Sequence, residues 1–196
     1  MKWYLFSMLT VFYVFPFGQD ALEYGNKSIQ KTLRKLLKSD HVRLNRLEDS
    51  LLLTEKKGIL PGKYFKVTVP SRKGVQYYLY VGRVNSCRAG GCSSSSGKLV
   101  ENIEYEYFDY FILFRVDGTV FMVKVFHYAA THGQEITSRG WLKQFSGYSA
   151  GQSLEIGKNI DAISGATVSV YAITLDVQHK TQRLKQILEN KKNRTK

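Results

Sequence analysis

Hydrophobic positions change period twice along the chain. Between residues 22 and 38, Ile29, Leu33, Leu36 and Leu37 recur at helical spacing among lysines and arginines, which predicts an amphipathic N-terminal helix. From Lys63 onward the apolar residues gather in blocks rich in Val, Tyr and Phe, over 64–69, 75–84, 105–116 and 119–128, and these predict strands. Asp117-Gly118 joins the last two blocks and accepts the positive φ angles of a two-residue hairpin turn. A short helix is predicted over 136–146, carrying Trp141, Leu142 and Phe145, followed by a Gly/Ser-rich loop from Ser146 to Ser153. Val170, Ile173, Val177, Leu184, Ile187 and Leu188 then restore a helical period to near the C-terminus. This order of elements predicts an α+β fold, a mixed or antiparallel sheet with an N-terminal and a C-terminal helix.

Composition adds bounds. The 196 residues, 43% hydrophobic and 13% aromatic with 3 prolines, suffice for one folded domain plus appendages and exclude a disordered or fibrous chain. A net charge of +13 admits nucleic acid, an anionic membrane surface or an acidic partner. The N-terminus bears on that choice, because Met1-Lys2 precedes an uncharged stretch from Trp3 to Phe17 with the shape of a secretory signal, residues 1–18. Fifteen residues fall short of the roughly 20 of a membrane-spanning helix, so a cleaved signal is preferred to a retained anchor. The protein is therefore expected outside the cytoplasm, in the periplasm or on the outer face of the membrane, away from nucleic acid. Residues 181–196 form a basic tail, and the stretch from Lys180 reads either as a solvated helix end or as a weak attraction to an anionic membrane surface.

Two constellations carry candidate chemistry. Cys87 and Cys92 enclose four residues, two of them glycines, and in an oxidising compartment they are expected to form a local disulfide, structural rather than redox-active. No zinc-finger spacing links them to His127 or His132, so no metal site is expected. The second constellation is Asp161-Ala162-Ile163-Ser164-Gly165-Ala166-Thr167, just ahead of the final helix. Small residues at a helix start leave backbone N–H groups open to a phosphate, and Thr167 adds a hydroxyl there. The plainer reading is a helix N-terminus capped by Ser164 or Thr167.

This segment resembles the flavinylation motif of the FMN-binding domain family, which includes the C subunit of sodium-translocating NADH:quinone reductases and the G subunit of the Rnf complex. Asp161, Ser164, Gly165, Ala166 and Thr167 match the motif in order. Upstream, Tyr110 to Val116, the Asp117-Gly118 turn, Val120 to His127, and Trp141-Leu142-Lys143-Gln144-Phe145-Ser146-Gly147 resemble the family's strand, turn, strand and Trp-x-x-x-Phe-x-Gly helix. The resemblance divides the chain into residues 22–97, an N-terminal helix and strands with the cysteine loop, and 98–180, the FMN-binding domain. It implies FMN held covalently at Thr167 through a phosphoester, with Ser164, Gly165 and Ala166 framing the phosphate. Thr131, His132, Gly133 and Trp141 are implied neighbours of the ring, and Asp161 is read by a flavin transferase that moves FMN from FAD. No catalytic residue is implied, and whether the protein is an enzyme in its own right stays open. The chain departs from the family where Ala130-Thr131-His132-Gly133 stands in place of Glu-Thr-Pro-Gly, and where Ser169 replaces a second threonine.

The function expected is an electron-transfer flavoprotein serving a membrane or envelope redox partner. The alternative is a cofactor-free secreted binding module whose basic surface holds an acidic polymer or membrane.

Overall fold

The computed structural model of the chain describes residues 25–47, 62–88 and 105–194. The expected leader, and the Cys87–Cys92 pairing with its loop, lie outside the described residues; of Cys87 only the backbone, in a strand, is described.

Helix α1 spans Lys27–Leu37, where Asn26 accepts from the Ser28 N–H at 2.8 Å and Lys38 closes the helix in the left-handed region. Five strands follow: β1 (Arg43–Arg46), β2 (Lys63–Thr68), β3 (Tyr77–Arg88), β4 (Tyr105–Phe114) and β5 (Val120–Tyr128). They pair in sequence order into one sheet, and every pairing is antiparallel. Helix α2 (Arg139–Leu142) sits between two 3-10 turns, and α3 runs unbroken from Thr167 to Arg194. The fold is α+β.

Register sorts the sheet into two apolar faces. Phe65 pairs with Leu79 and Leu79 with Leu113; that face, joined by Val67, Val81 and Phe111, receives Ile29, Leu33 and Leu37 of α1. Tyr64 pairs with Tyr80, Tyr80 with Ile112 and Ile112 with Val123; this opposite face receives Val170, Ile173, Val177, Leu184 and Ile187 of α3 together with Trp141 and Phe145. A sheet buried on both sides gives runs such as Tyr110 to Phe114 in which every residue is buried, so strict polar alternation is missing there.

The structure corrects four details. The β4–β5 connection is a three-residue loop rather than a two-residue turn. The Arg115 N–H donates to Thr119 O and the Gly118 N–H to Arg115 O, and Gly118 alone in the loop has positive φ. The helix predicted over 136–146 is divided by Ser138, whose extended backbone caps α2 from its side chain. Strand β1 was not anticipated, because its sequence Arg-Leu-Asn-Arg has no apolar run to mark it. Lys180, read as part of a solvated end, is buried in α3, with its ammonium 5.4 Å from the Tyr80 ring centroid and its carbonyl accepting from Tyr64 Oη at 3.0 Å.

Candidate functional site

The motif forms a turn that opens directly into α3. The Ala166 N–H donates to Ile163 O at 3.1 Å, and Gly165, third in that turn, has φ +81°, a position where glycine avoids the steric cost of a Cβ. Ala166 O accepts from the Val170 N–H at 2.9 Å, so the helix is N-capped by Ala166 and not by Ser164 or Thr167. Alanine has no side-chain acceptor for the first-turn N–H groups that lack intrahelical partners. The hydroxyls of Ser164 and Thr167 are exposed and have no hydrogen-bond partner among the described residues. The result is a 28-residue helix whose N-terminus presents N–H donors, a positive dipole end and a free threonine hydroxyl. A Cβ at Gly165 would meet nothing within 4 Å, so a ligand can lie against the turn's backbone.

The segment before the turn is held from α2. Trp141 Nε1–H donates to Asp161 O at 2.9 Å, and Gln144 Oε1 accepts from the Asp161 N–H at 2.7 Å, clamping both sides of that residue's backbone. Trp141 is buried edge-on against Phe145, with ring centroids 5.4 Å apart. Its polar edge is committed to Asp161, whose carboxylate is exposed. Gln144 had no sequence signal beyond helical position.

Residues 131–133 approach α3 from the end of β5. Tyr128 Oη donates to His132 O at 2.5 Å and lies 3.2 Å from Ser169 Oγ, which in turn is 2.7 Å from Ser86 Oγ of β3. Burial pushes the Tyr128 hydroxyl above its ordinary range. Gly133, at φ +87°, is so close that an added Cβ would stand 2.7 Å from Ser169 Oγ and 2.9 Å from Tyr128 Oη. Ser169 therefore joins β3, β5 and the first turn of α3, two residues after Thr167. Thr131 and His132 are exposed. Thr131 donates both its N–H, at 3.0 Å, and its hydroxyl to the Glu106 carboxylate of β4, and these bonds hold that carboxyl below its usual range. His127 is not part of this group: it contacts the fully buried Asp109, which pairs with Arg83 at 2.7 and 3.1 Å, on the α1 face of the sheet.

Two groups of anticipated residues thus converge on the start of α3, Trp141 through Asp161 and the 131–133 loop through Ser169. Ser86, Glu106, Tyr128 and Gln144, which do the holding, were not anticipated. An exposed apolar stripe of Val168, Tyr171 and Leu175 runs along α3 from the residue after Thr167; periodicity marked the buried side of this helix and left the stripe unmarked.

Residues 108–180 match the family model of the FMN-binding domain. These residues are an FMN-binding domain. No curated protein matches the chain. The FMN-binding domain takes in β4 from Phe108, β5, the 131–133 loop, α2, the motif and α3 as far as Lys180; helix α1 and strands β1 to β3 precede it. Ser86 and Glu106 reach the site from outside the matched span.

Proposed function

We propose that the protein is an extracytoplasmic electron-transfer flavoprotein whose FMN is joined to Thr167 by a phosphoester. The observation that carries this reading is the free, exposed Thr167 hydroxyl on the first turn of a helix capped by an alanine, inside an FMN-binding domain. Attachment by a flavin transferase forms a bond from Thr167 Oγ to the phosphorus of the FMN half of FAD. The pyrophosphate P–O bond breaks, AMP departs, and the hydroxyl proton passes to solvent.

When bound, the flavin supplies the redox chemistry. The chain's own residues position it. The N–H groups at the start of α3 neutralise phosphate charge, Gly165 leaves open space beside it, buried Ala166 anchors the turn to the core, and Trp141 with Gln144 fixes the turn through Asp161. The loop of Thr131, His132 and Gly133 borders the same helix end and offers a polar wall for a ring. Thr167 is a tether in this scheme and takes no part in turnover. Val168, Tyr171 and Leu175 give a membrane or envelope redox partner apolar surface beside the tether.

Co-expression with a flavin transferase is the test. Fluorescence retained in a denaturing gel, and peptide mass mapping that places FMN on the Thr167 peptide, are expected for the native sequence; both are lost in Thr167→Ala. Undiminished incorporation in Thr167→Ala overturns the attachment point.

A further inference from the structure

Positive charge is concentrated before residue 89 and again toward the C-terminus, where residues 167–196 contain 7 Lys and Arg against 2 Asp and Glu. Residues 25–88 contain 15 Lys and Arg against 4 Asp and Glu, whereas residues 105–166 contain 5 against 6. Helix α1 concentrates the excess: Lys27, Lys31, Arg34, Lys35 and Lys38 are all exposed, with no acidic residue in the helix. Its apolar side is already consumed by the sheet, since Ile29 and Leu33 are fully buried and Leu37 nearly so. Beside it, edge strand β1 exposes Arg43 and Arg46. The two elements share one surface, for Arg34 of α1 and His41 and Arg43 beside it line a single open cleft of about 450 Å³, with Asp40 the acidic residue among its walls.

We propose that this outward face of α1, together with Arg43 of the shared cleft, docks the protein on an anionic lipid bilayer through lipid phosphates. Two observations favour lipid over other polyanions. Residues 25–47 contain no Phe, Tyr or Trp, so the face offers no stacking platform for bases. The face is a helix lying flat on a sheet, suited to a planar charged surface and lacking free apolar residues for deep insertion.

The docking depends on α1 and β1 and not on the flavin. One consequence rests on the proposed flavin attachment: α3 covers the opposite face of the sheet, so a flavin on Thr167 would be carried on the side away from the lipid, toward the water-exposed part of a membrane or envelope redox partner.

The experiment is co-sedimentation of the full chain with vesicles of phosphatidylcholine, with and without phosphatidylglycerol, at low and high salt. Binding to phosphatidylcholine alone is subtracted, which removes any contribution of an apolar leader. Lys31→Gln, Arg34→Gln and Lys35→Gln together are expected to weaken binding to the anionic vesicles roughly a hundredfold, from the attraction of a juxtamembrane cation for such a surface. Arg139→Gln, Lys143→Gln and Lys158→Gln together remove the same charge from exposed sites in the other half of the chain and are expected to change binding by less than about threefold. All six side chains are exposed, and circular dichroism on both variants is the check that they fold. Equal losses in the two variants, no loss in the first, or binding of heparin or DNA with no preference for anionic vesicles each overturns the proposal. Mass mapping at Thr167 is unaffected by any of these outcomes, so the two readings fail separately.

Discussion

Gly133→Ala tests whether the 131–133 loop is packed against the helix that bears Thr167. Gly133 has φ +87°, and an L-residue in the left-handed region costs roughly 1–2 kcal/mol. The added Cβ would also stand 2.7 Å from Ser169 Oγ, 2.9 Å from Tyr128 Oη and 3.3 Å from Ser169 Cβ. Ser169 cannot turn aside freely, because its hydroxyl is buried and engaged with Ser86. Overpacking of this kind costs about 1–3 kcal/mol, which brings the expected loss for Gly133→Ala to about 2–5 kcal/mol. Gly118 and Gly165 supply the reference, with φ +85° and +81° and nothing within 4 Å of a built Cβ, so their alanine variants should lose only the backbone part, about 1–2 kcal/mol. The assay is urea unfolding of all three variants, with unchanged m-values as the condition for comparison. Placing Gly133→Ala in a Ser169→Ala background should recover part of the excess, because the closest clashing atom is gone. If Gly133→Ala unfolds within about 0.5 kcal/mol of Gly118→Ala, the loop does not contact α3 as described, and the candidate site loses one of its two walls.

Arg83→Ala leaves the fully buried Asp109 carboxylate with the His127 ring as its remaining side-chain partner, and should cost about 3 kcal/mol in urea unfolding; a loss below about 1 kcal/mol would show that solvent reaches Asp109. Tyr110 Oη donates to Asp176 Oδ2 at 2.5 Å, and burial, followed by the Asp176 charge, raises the Tyr110 pKa well above its ordinary value. The protonated phenol is therefore favoured by folding, so its contribution is complete below about pH 10 and is lost as pH rises beyond it; Tyr110→Phe should flatten that alkaline decline while costing about 1.5–3 kcal/mol at neutral pH. Glu106 has the opposite sign: its carboxyl is lowered, first by the Thr131 hydroxyl and then by the Thr131 N–H, so the bond to the loop is present above the ordinary glutamate range and is lost on acidification below it. Amide exchange at Thr131 should accelerate across that acid window in the native protein and be fast at every pH in Glu106→Ala; slow exchange in the variant refutes the assignment.

What could be read from the sequence follows from the range of the interactions involved. Helix α1 announced itself because its apolar residues are adjacent on one face and its caps are local. The β4–β5 hairpin was legible from Asp117-Gly118, yet its loop length was not, since the choice between turn types rests on which residues of Arg115 to Thr119 enter the ladder. Lys180 was misread because charge alone assigns a lysine to solvent, whereas Tyr64 and Tyr80, about a hundred residues away, create the environment that receives it. The same division runs through the candidate site. Thr167 and its neighbours form a contiguous motif and can be found by pattern. The residues that fix their surroundings are a serine in β3, a glutamate at the start of β4, a tyrosine closing β5 and a glutamine after α2, each with an ordinary local context.

Ser86 and Glu106 stand outside the span matched by the family, but they touch residues within it that are central to the site. The first strands therefore do more than complete the sheet. Strand β3 pairs with β4 along almost its whole length and carries Ser86 to Ser169 at the start of α3, while its other face lies under the layer that holds α1. One strand thus links the basic face to the proposed flavin tether through a rigid ladder. Changes in α1 that preserve Ile29, Leu33 and Leu37 should leave that ladder intact, which makes its outward cations free to serve a surface without disturbing the site beyond the sheet.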